Sequence, residues 1–493
     1  MTISRRSLLS ALLAGGLSPE LLALNLPADG FAADAPELAP LRGLSGESLD
    51  AEAVVEGRLP AALRGRYFRN GPALMQRGSQ RYRHWFDGDG LVQAWTLSEG
   101  RARHSARFVQ TAKFRAEQQA GRFLLPAFGT AIPAQLPVRG PDSVNVANTS
   151  VLMQGDHLYA LWEGGSAYEL DPLTLATRGI KTWAPELRGM PFSAHPKVEP
   201  DGTVWNFGTA NGRLALYQID AAGSVRRHAV LDDVAAPAML HDFAVSQRHL
   251  VFLLAPIELD MAAVRGGQSM LEAMRWGADR PTRILVIDKA DFSRRRIFEM
   301  PACHVFHFGN AWDDGRLLRV DHVQGVPLPA FNAGAERMMR GQRAGRDAST
   351  PRVLEIDLQT GRLTVAARDE SVEFPVVDPR VVAQRHRFVW YPTAIDTGER
   401  WGFNGLMRLD IETGARERFS FGTDVVVEEH VLVPKPGSSR EGEGWLVGMG
   451  YDVRRRRSFF SVFDAMRLAD GPLARAWLPY WVPYGFHGKF QAA

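Results

Sequence analysis

The chain repeats one short pattern, an apolar–polar alternating run that ends in aspartate and is followed by a turn. The aspartates are Asp171, Asp220, Asp288, Asp357, Asp410 and Asp464, so successive copies lie 49, 68, 69, 53 and 54 residues apart. Glycine-containing turns follow several copies, as at Thr360-Gly361. Alternation around an aspartate-initiated turn predicts a β-hairpin, and a period of about 40–50 residues is typical of propeller blades.

The predicted fold class is therefore all-β, a seven-bladed β-propeller. Six copies account for six blades, and the segment before Asp171 has strand patterning and enough length for a seventh. An irregular β-sandwich is the alternative, but a sandwich does not require such regular recurrence. Residues 117–137, 257–281 and 329–347 interrupt the pattern with apolar or Ala/Met-rich runs, the middle one with a short helix near residues 270–274. We expect these insertions to form a helical and loop cap on one face.

The composition is that of a globular protein and argues against a nucleic-acid partner. Of 493 residues, 45% are apolar and 23% charged, and the formal charge is +3. The basic run at residues 454–457 is interpreted as a solvated turn, since neither base-stacking aromatic residues nor a wider basic face accompanies it. Cys303 is the single cysteine, so no internal disulfide can form, and its thiol is interpreted as buried and inert.

Residues 1–35 are interpreted as an export signal. Arg5-Arg6 precede an apolar run at residues 8–17, and a small-residue stretch at 31–35 offers a cleavage point. The apolar run is too short to span a membrane. Paired arginines are typical of the twin-arginine route, an ordinary signal peptide is the alternative, and both predict an exported, periplasmic protein whose residues 36–493 form the propeller.

Four of the 13 histidines stand in short, distinctive surroundings. They are His195 in Ala-His-Pro-Lys, His241 in Leu-His-Asp-Phe, His307 in His-Phe-Gly-Asn-Ala and His487 in Gly-Phe-His-Gly, spaced 46, 66 and 180 residues apart. This spacing places them in different blades, and the inner strands of a propeller converge on its axis. Imidazole suits iron, zinc, copper or nickel, and the spacing does not choose among these metals. The alternative interpretation is that these four histidines are structural residues whose ring nitrogens are hydrogen-bonded within the protein.

Further motifs give the chain a family resemblance. In chain order they are Tyr67-Phe68-Arg69-Asn70-Gly71-Pro72, His84-Trp85-Phe86-Asp87-Gly88-Asp89-Gly90, Asn148-Thr149-Ser150-Val151, the four histidine motifs and the terminal Tyr484-Gly485-Phe486-His487-Gly488. In these segments, which run from about residue 40 to the C terminus, the chain resembles the carotenoid cleavage oxygenase family. That family includes apocarotenoid oxygenases, the retinal pigment epithelium isomerase and the lignostilbene dioxygenases, and its fold is a seven-bladed propeller.

The resemblance implies that His195, His241, His307 and His487 bind one Fe(II) per chain, with no catalytic residue beyond this metal centre. The family pattern selects His307 rather than His304, because Asn310-Ala311 follows it.

Three glutamates hold the iron-bound histidines in this family, and the matching residues here are Glu163, Glu373 and Glu429. A metal-bound imidazole normally donates its other N–H to such an acceptor. Around Glu429 the chain departs from the family pattern, since Glu428 adjoins it and His430 stands where the family usually has proline.

The reaction implied by the resemblance is cleavage of a carbon–carbon double bond of a carotenoid or apocarotenoid by O2, giving two carbonyl products. The protein would supply metal geometry, a dry tunnel and positioning of the polyene. Lignostilbene cleavers of the family carry a lysine and a tyrosine where this chain has Trp162 and Phe108, neither of which accepts a phenolic proton. Both are therefore expected to line a hydrophobic substrate tunnel.

Two other functions stay open, a stilbene-type alkene dioxygenase and a non-catalytic metal-binding propeller. Isomerase or ester-cleaving chemistry, known within the family, stays open as well. Because a carotenoid must come from a membrane, we also expect an apolar patch for peripheral membrane contact beside the tunnel mouth, on residues 122–137 and 257–281.

Overall fold

The aspartates of the repeat begin equivalent turns in successive sheets. The computed structural model describes residues 35–343, 349–398 and 401–493. In it, each of these aspartates ends or directly follows the third strand of a sheet, counted from the propeller axis and including the bridged segment at residues 372–376 in blade 6. Asp220 Oδ1, for example, accepts backbone N–H groups from Ala222 at 3.0 Å and Ser224 at 2.9 Å. Such an Asx turn satisfies the backbone at the end of a hairpin. The recurrence of aspartate therefore marks one outer hairpin per blade.

Seven antiparallel sheets, named here blades 1 to 7 in chain order, surround the axis within the described residues, so the predicted fold class is confirmed. From the innermost strand outwards, blade 1 contains Gly488–Ala492, Gly65–Leu74, Asp89–Ser98, Arg101–Phe108 and Leu49–Glu52. Blade 2 contains Ser150–Gln154, His157–Leu161, Tyr168–Leu170 and Thr177–Ile180. Blade 3 contains Lys197–Val198, Val204–Ala210, Arg213–Ile219 and Val225–Leu231.

The next four blades follow the same order. Blade 4 contains Ala244–Val245, His249–Leu254, Thr282–Asp288 and Arg295–Met300, and blade 5 contains His304–Asp313, Leu317–Gly325, Thr350–Asp357 and Leu363–Ala367. Blade 6 contains Phe388–Thr393, Gly405–Asp410 and Arg416–Ser420, with residues 372–376 bridged to its inner edge. Blade 7 contains Val425–Pro434, Gly444–Asp452, Arg457–Asp464, Ala474–Trp477 and Val54–Gly57.

Both ends of the chain take part in closing the ring. Gly488–Ala492, near the C terminus, pairs with Gly65–Leu74 as the innermost strand of blade 1. Val54–Gly57, near the N terminus, pairs with Ala474–Trp477 as the outermost strand of blade 7. Blade 1 carries no aspartate of the repeat because its third strand ends at Ser98 and turns through Glu99-Gly100.

The hydrophobic core is divided among the interfaces between blades. Tyr67 and Trp95 of blade 1, for example, pack with Phe460 of blade 7, and Phe207 of blade 3 packs with Phe252 of blade 4. The inner strands of the sheets are therefore largely buried on both faces, and burial of apolar surface stabilises the ring at the blade boundaries.

The three predicted insertions gather around one cavity, and the second and third carry three of the four described helices, while the remaining helix lies largely before the first insertion. The helices are α1 at Ala112–Ala120, α2 at Met261–Arg265, α3 at Met270–Ala273 and α4 at Leu328–Met339. Two-stranded sheets join Ile257–Leu259 to Met274–Trp276 and Gln76–Arg77 to Gln80–Arg81. Short 3-10 helices lie at Pro36–Arg42, Trp85–Asp87, Pro141–Ser143, Pro185–Leu187, Pro379–Val381 and Leu468–Asp470.

The short helix predicted near residues 270–274 is confirmed, because Ser269 and Glu272 form a capping box that begins α3. Within the described ranges, no helix is both long and apolar enough to cross a bilayer. The predicted export signal at residues 1–35 lies outside the described residues except for Ala35, and it stays a prediction.

Candidate metal centre

Four histidines from four blades meet at the propeller axis. His195 lies two residues before the innermost strand of blade 3, His241 three residues before that of blade 4 and His487 directly before that of blade 1, while His307 lies within the innermost strand of blade 5. One ligand nitrogen from each lies within 4.8 Å of the others, and all four residues are buried. The structure therefore brings together the four histidines that the sequence singled out.

The arrangement of these nitrogens fits a metal ion. Adjacent imidazoles on one ion, each bound at about 2.0–2.1 Å, place their nitrogens roughly 3 Å apart. His195 Nε2 and His241 Nε2 lie 2.8 Å apart. His307 Nε2 is buried without any hydrogen-bond partner, which is costly unless something binds it. These side chains can therefore bind a metal.

The electrostatic environment favours the neutral ligand form of two of these imidazoles. Burial, reinforced by the neighbouring histidines, holds the pKa of His195 well below its ordinary value. Burial also lowers the pKa of His487, against the opposing effect of Glu429. At His241 burial is again the largest cause and acts in the same direction, but the charge and hydrogen bond of Glu163, with the charges of Asp242 and Glu373, together outweigh it and the pKa is raised. A metal competes with protons for such nitrogens, so neutral imidazoles bind it more readily.

Three glutamates hold three of the histidines through the ring nitrogen that faces away from the cluster. Nδ1 lies 2.5 Å from Glu163 Oε2 in His241, 2.5 Å from Glu373 Oε2 in His307 and 2.9 Å from Glu429 Oε1 in His487. Such acceptors fix the tautomer and the ring orientation of a metal-binding histidine. Glu163 belongs to blade 2, Glu373 to the inner edge of blade 6 and Glu429 to blade 7. With the histidines, each blade thus contributes one residue to the centre.

Glu428 and Glu429 take different partners. Glu429 Oε2 accepts the backbone N–H of Gly488 at 2.7 Å, in addition to its contact with His487. Glu428 instead forms a two-armed ion pair with the fully buried Arg69 and accepts the N–H of Gly485 at 2.9 Å. The two carboxylates therefore hold the backbone on both sides of His487. The motifs around Arg69 and Glu428 did not predict that these two residues form an ion pair beside His487.

Phe374 is a site residue that the sequence did not reveal. Its backbone has φ +52°, a left-handed conformation that is unfavourable for a bulky residue. Its N–H donates to Glu373 Oε2 at 2.7 Å, and its ring centroid lies 5.1 Å from that of His307 and 5.3 Å from that of His487. The strained turn therefore orients the Glu373 carboxylate and covers one side of the cluster with an apolar ring.

A cavity of about 1570 Å³ opens from the histidines and passes under the insertions. Its wall is mainly apolar and rich in aromatic rings: Trp85, Phe86, Phe128, Trp162, Phe331 and Phe486. Trp162 is thus part of this wall. The structure places Phe108 elsewhere, in a packed cluster behind the wall with its ring stacked on Phe114 at a centroid distance of 5.3 Å. Phe108 ends the fourth strand of blade 1, away from the axis, and does not line the cavity.

A propeller with four axial histidines, three supporting carboxylates and an apolar cavity defines a class of metal-binding β-propeller proteins. Residues 44–492 match the model of the retinal pigment epithelial membrane protein family. The chain belongs to that family.

Individual relatives agree with this assignment. The chain is 28% identical over 456 residues to the apocarotenoid-15,15'-oxygenase of Synechocystis sp., covering 88% of this chain and 92% of that protein. It is 29% identical over 462 residues to the isoeugenol monooxygenase of Pseudomonas putida, covering 89% and 94%. Among solved structures, that of cobalt-substituted Synechocystis ACO superposes with a TM-score of 0.82 at 26% identity, covering 93% of this chain and 99% of that one.

Proposed function

We propose that this protein is a non-haem Fe(II) dioxygenase that cleaves a carbon–carbon double bond of a carotenoid or apocarotenoid with O2. The observation that carries the proposal is the cluster of four buried imidazoles, three of which, His241, His307 and His487, line a large apolar cavity. One Fe(II) per chain is proposed, held by His195, His241, His307 and His487. When bound, Fe(II) supplies the activation of O2 that an organic side chain cannot provide.

The residues of the chain have three tasks in this reaction. Glu163, Glu373 and Glu429 fix the imidazole rings, so that the metal geometry is set before substrate enters. The aromatic wall holds an extended apolar alkene against the centre and keeps bulk water away from it. Trp162, next to Glu163, lies where family members that bind phenols carry a lysine, and its indole cannot take up a phenolic proton. This favours a polyene over a hydroxystilbene.

Product analysis tests the proposed reaction. Protein folded with Fe(II) is supplied with O2 and either an apocarotenoid or a hydroxystilbene, and the products are identified by mass. We expect two carbonyl products from the apocarotenoid, with one oxygen atom of labelled O2 in each, and little turnover of the stilbene. Cleavage of the stilbene alone would support the stilbene-type alternative. If iron-loaded protein takes up no O2 with either compound, the result would support a non-catalytic metal-binding propeller. A product with the same mass as the substrate would indicate an isomerase.

We also propose that the cavity mouth rests on a membrane surface. Leu136, Val138, Met261 and Met270 are all more than a third exposed, and the last three also line the cavity. Leu136, Met261 and Met270 belong to the two insertions expected to carry a membrane patch, and Val138 directly follows the first of them. Exposed apolar residues clustered around a cavity mouth are typical of contact sites for apolar partners, and a membrane-dissolved substrate would enter here.

Charged substitutions test the membrane contact. Met261→Glu combined with Met270→Glu is expected to lower co-sedimentation with phospholipid vesicles by several-fold, because each carboxylate must stay hydrated. Leu173→Glu is the matched control, since Leu173 is 72% exposed but lies on the outer turn of blade 2. Equal sedimentation of all three proteins would show that this patch does not bind the membrane.

A further inference from the structure

His304 is a buried polar side chain in the cavity wall that the metal centre does not use. It begins the innermost strand of blade 5, is 4% exposed and contributes to the cavity lining. It does not belong to the group of four histidines that can share an ion. Its Nδ1 is buried and has no hydrogen-bond partner.

The position of His304 relates it to the reacting centre through one aromatic ring. Its ring contacts Phe306 edge-on at a centroid distance of 4.4 Å, and Phe306 in turn lies 5.3 Å from the metal-site residue His241 and 4.7 Å from Phe331 of the cap. Phe306 thus separates His304 from the histidine cluster. A group bound at His304 would lie near, but not at, the double bond that reacts.

The chemistry of His304 suits a polar ligand of low charge. Burial lowers its pKa to about 4, against the smaller opposing effect of a hydrogen bond with the Val326 backbone, so at neutral pH the imidazole is uncharged. A neutral imidazole has one N–H donor and one acceptor nitrogen. Buried polar atoms are normally paired, and an unpaired atom beside a binding cavity can be satisfied by the ligand.

We propose that His304 recognises an oxygen substituent of the substrate, a hydroxyl or carbonyl on the alkene that is cleaved. The proposal rests on the proposed function and deepens it, because it assigns an oxygen-bearing rather than a pure hydrocarbon substrate. The two sources of such an oxygen are the end group of an apocarotenoid and the phenol of an aryl alkene. His304 is therefore a specificity-determining residue that acts on substrate choice.

Paired substrates test this role. The first pair is an apocarotenoid aldehyde and a hydrocarbon polyene of equal conjugated length, and the second is a phenolic aryl alkene and its methyl ether. For each pair the ratio of kcat/KM values is measured in the wild type, His304→Phe, His304→Asn and the control His322→Phe. His322 is fully buried outside the cavity lining, with an unpaired Nε2 of its own.

His304→Phe is expected to lower the preference for the oxygenated member of one pair by roughly fivefold to tenfold, the usual value of one hydrogen bond. The change should lie mainly in KM. His304→Asn, which keeps a donor and an acceptor, should recover part of the preference, and His322→Phe should leave it unchanged. The pair that responds identifies the source of the oxygen.

The outcomes separate the two proposals. A wild-type enzyme that cleaves none of the four compounds contradicts the proposed function. A wild-type enzyme that cleaves them, with ratios unaffected in a folded His304→Phe protein, overturns the role of His304. If the phenylalanine variant does not fold, His304→Leu and His304→Gln provide the same comparison, and equal ratios in both would overturn it as well.

Discussion

His307→Ala is expected to abolish both metal binding and alkene cleavage while leaving the propeller folded. His307 Nε2 is buried and makes no hydrogen bond to the protein. Replacing His307 with alanine therefore removes a metal ligand, and no hydrogen bond of Nε2 is lost. The loss should exceed the roughly 10–100-fold that removal of an outer partner of a metal ligand typically costs. Iron content after anaerobic loading and the rate of O2 uptake with the substrate measure the two effects.

His322→Phe is the matched control for this substitution. It replaces another fully buried histidine of blade 5, on the strand that pairs with the strand of His307. This variant should keep its iron and its activity. Full iron content in folded His307→Ala, or equal loss of iron in the two variants, would contradict the assignment of His307 as a ligand.

Metal-free protein is expected to lose stability steeply as the pH falls from 6.5 towards 4. Burial is the main cause that lowers the pKa of His84 and His104 to about 3 and of His304, His322 and His430 to about 4. Above the unfolded pKa of 6.5 these histidines are neutral in both states. Below it the unfolded chain takes up protons that the folded chain refuses, so stability is lost until the pH reaches the folded pKa.

The expected slope follows from proton linkage. Each such histidine lowers the free energy of unfolding by about 1.4 kcal/mol per pH unit within that window. Asp87 acts in the opposite direction, because burial raises its pKa to about 6, and so does His241, whose pKa is raised by Glu163, Asp242 and Glu373 against burial, but these are two groups against five. Urea denaturation of metal-free protein at pH 7, 6 and 5 measures the effect.

A substitution isolates the share of one histidine in this pH dependence. His322→Phe should flatten the fall in unfolding free energy by the contribution of a single group. A free energy of unfolding that stays constant between pH 7 and 5 would show that these histidines are protonated or accessible in the folded protein.

The sequence predicted the propeller because an Asx turn is a local device. Asp220 and its counterparts act on backbone groups two to four residues away, so the chemistry of each outer hairpin is written in consecutive residues. Blade 1 lacks this signal, and its completion by Gly488–Ala492 depends on a pairing between the two ends of the chain. No local pattern encodes such a pairing.

The candidate site likewise has features that the sequence predicts and features that only the folded chain reveals. His195, His241, His307 and His487 stood out by their motifs, and convergence at the axis follows from the fold. The position of Phe108 could not be read from its motif, because the face of a strand that reaches a cavity depends on the neighbouring blade and cap. The ion pair of Arg69 with Glu428 joins residues 359 positions apart, so only the folded chain reveals it.

X-ray absorption at the iron edge of anaerobically loaded protein examines the shared ion itself. Four imidazoles from separate blades holding one Fe(II) predict one iron per chain and four histidine nitrogens at about 2.0–2.2 Å, within the range usual for such bonds. A centre with two or fewer imidazoles, or iron bound well below one per chain in folded protein, would contradict a site in which four histidines share one Fe(II).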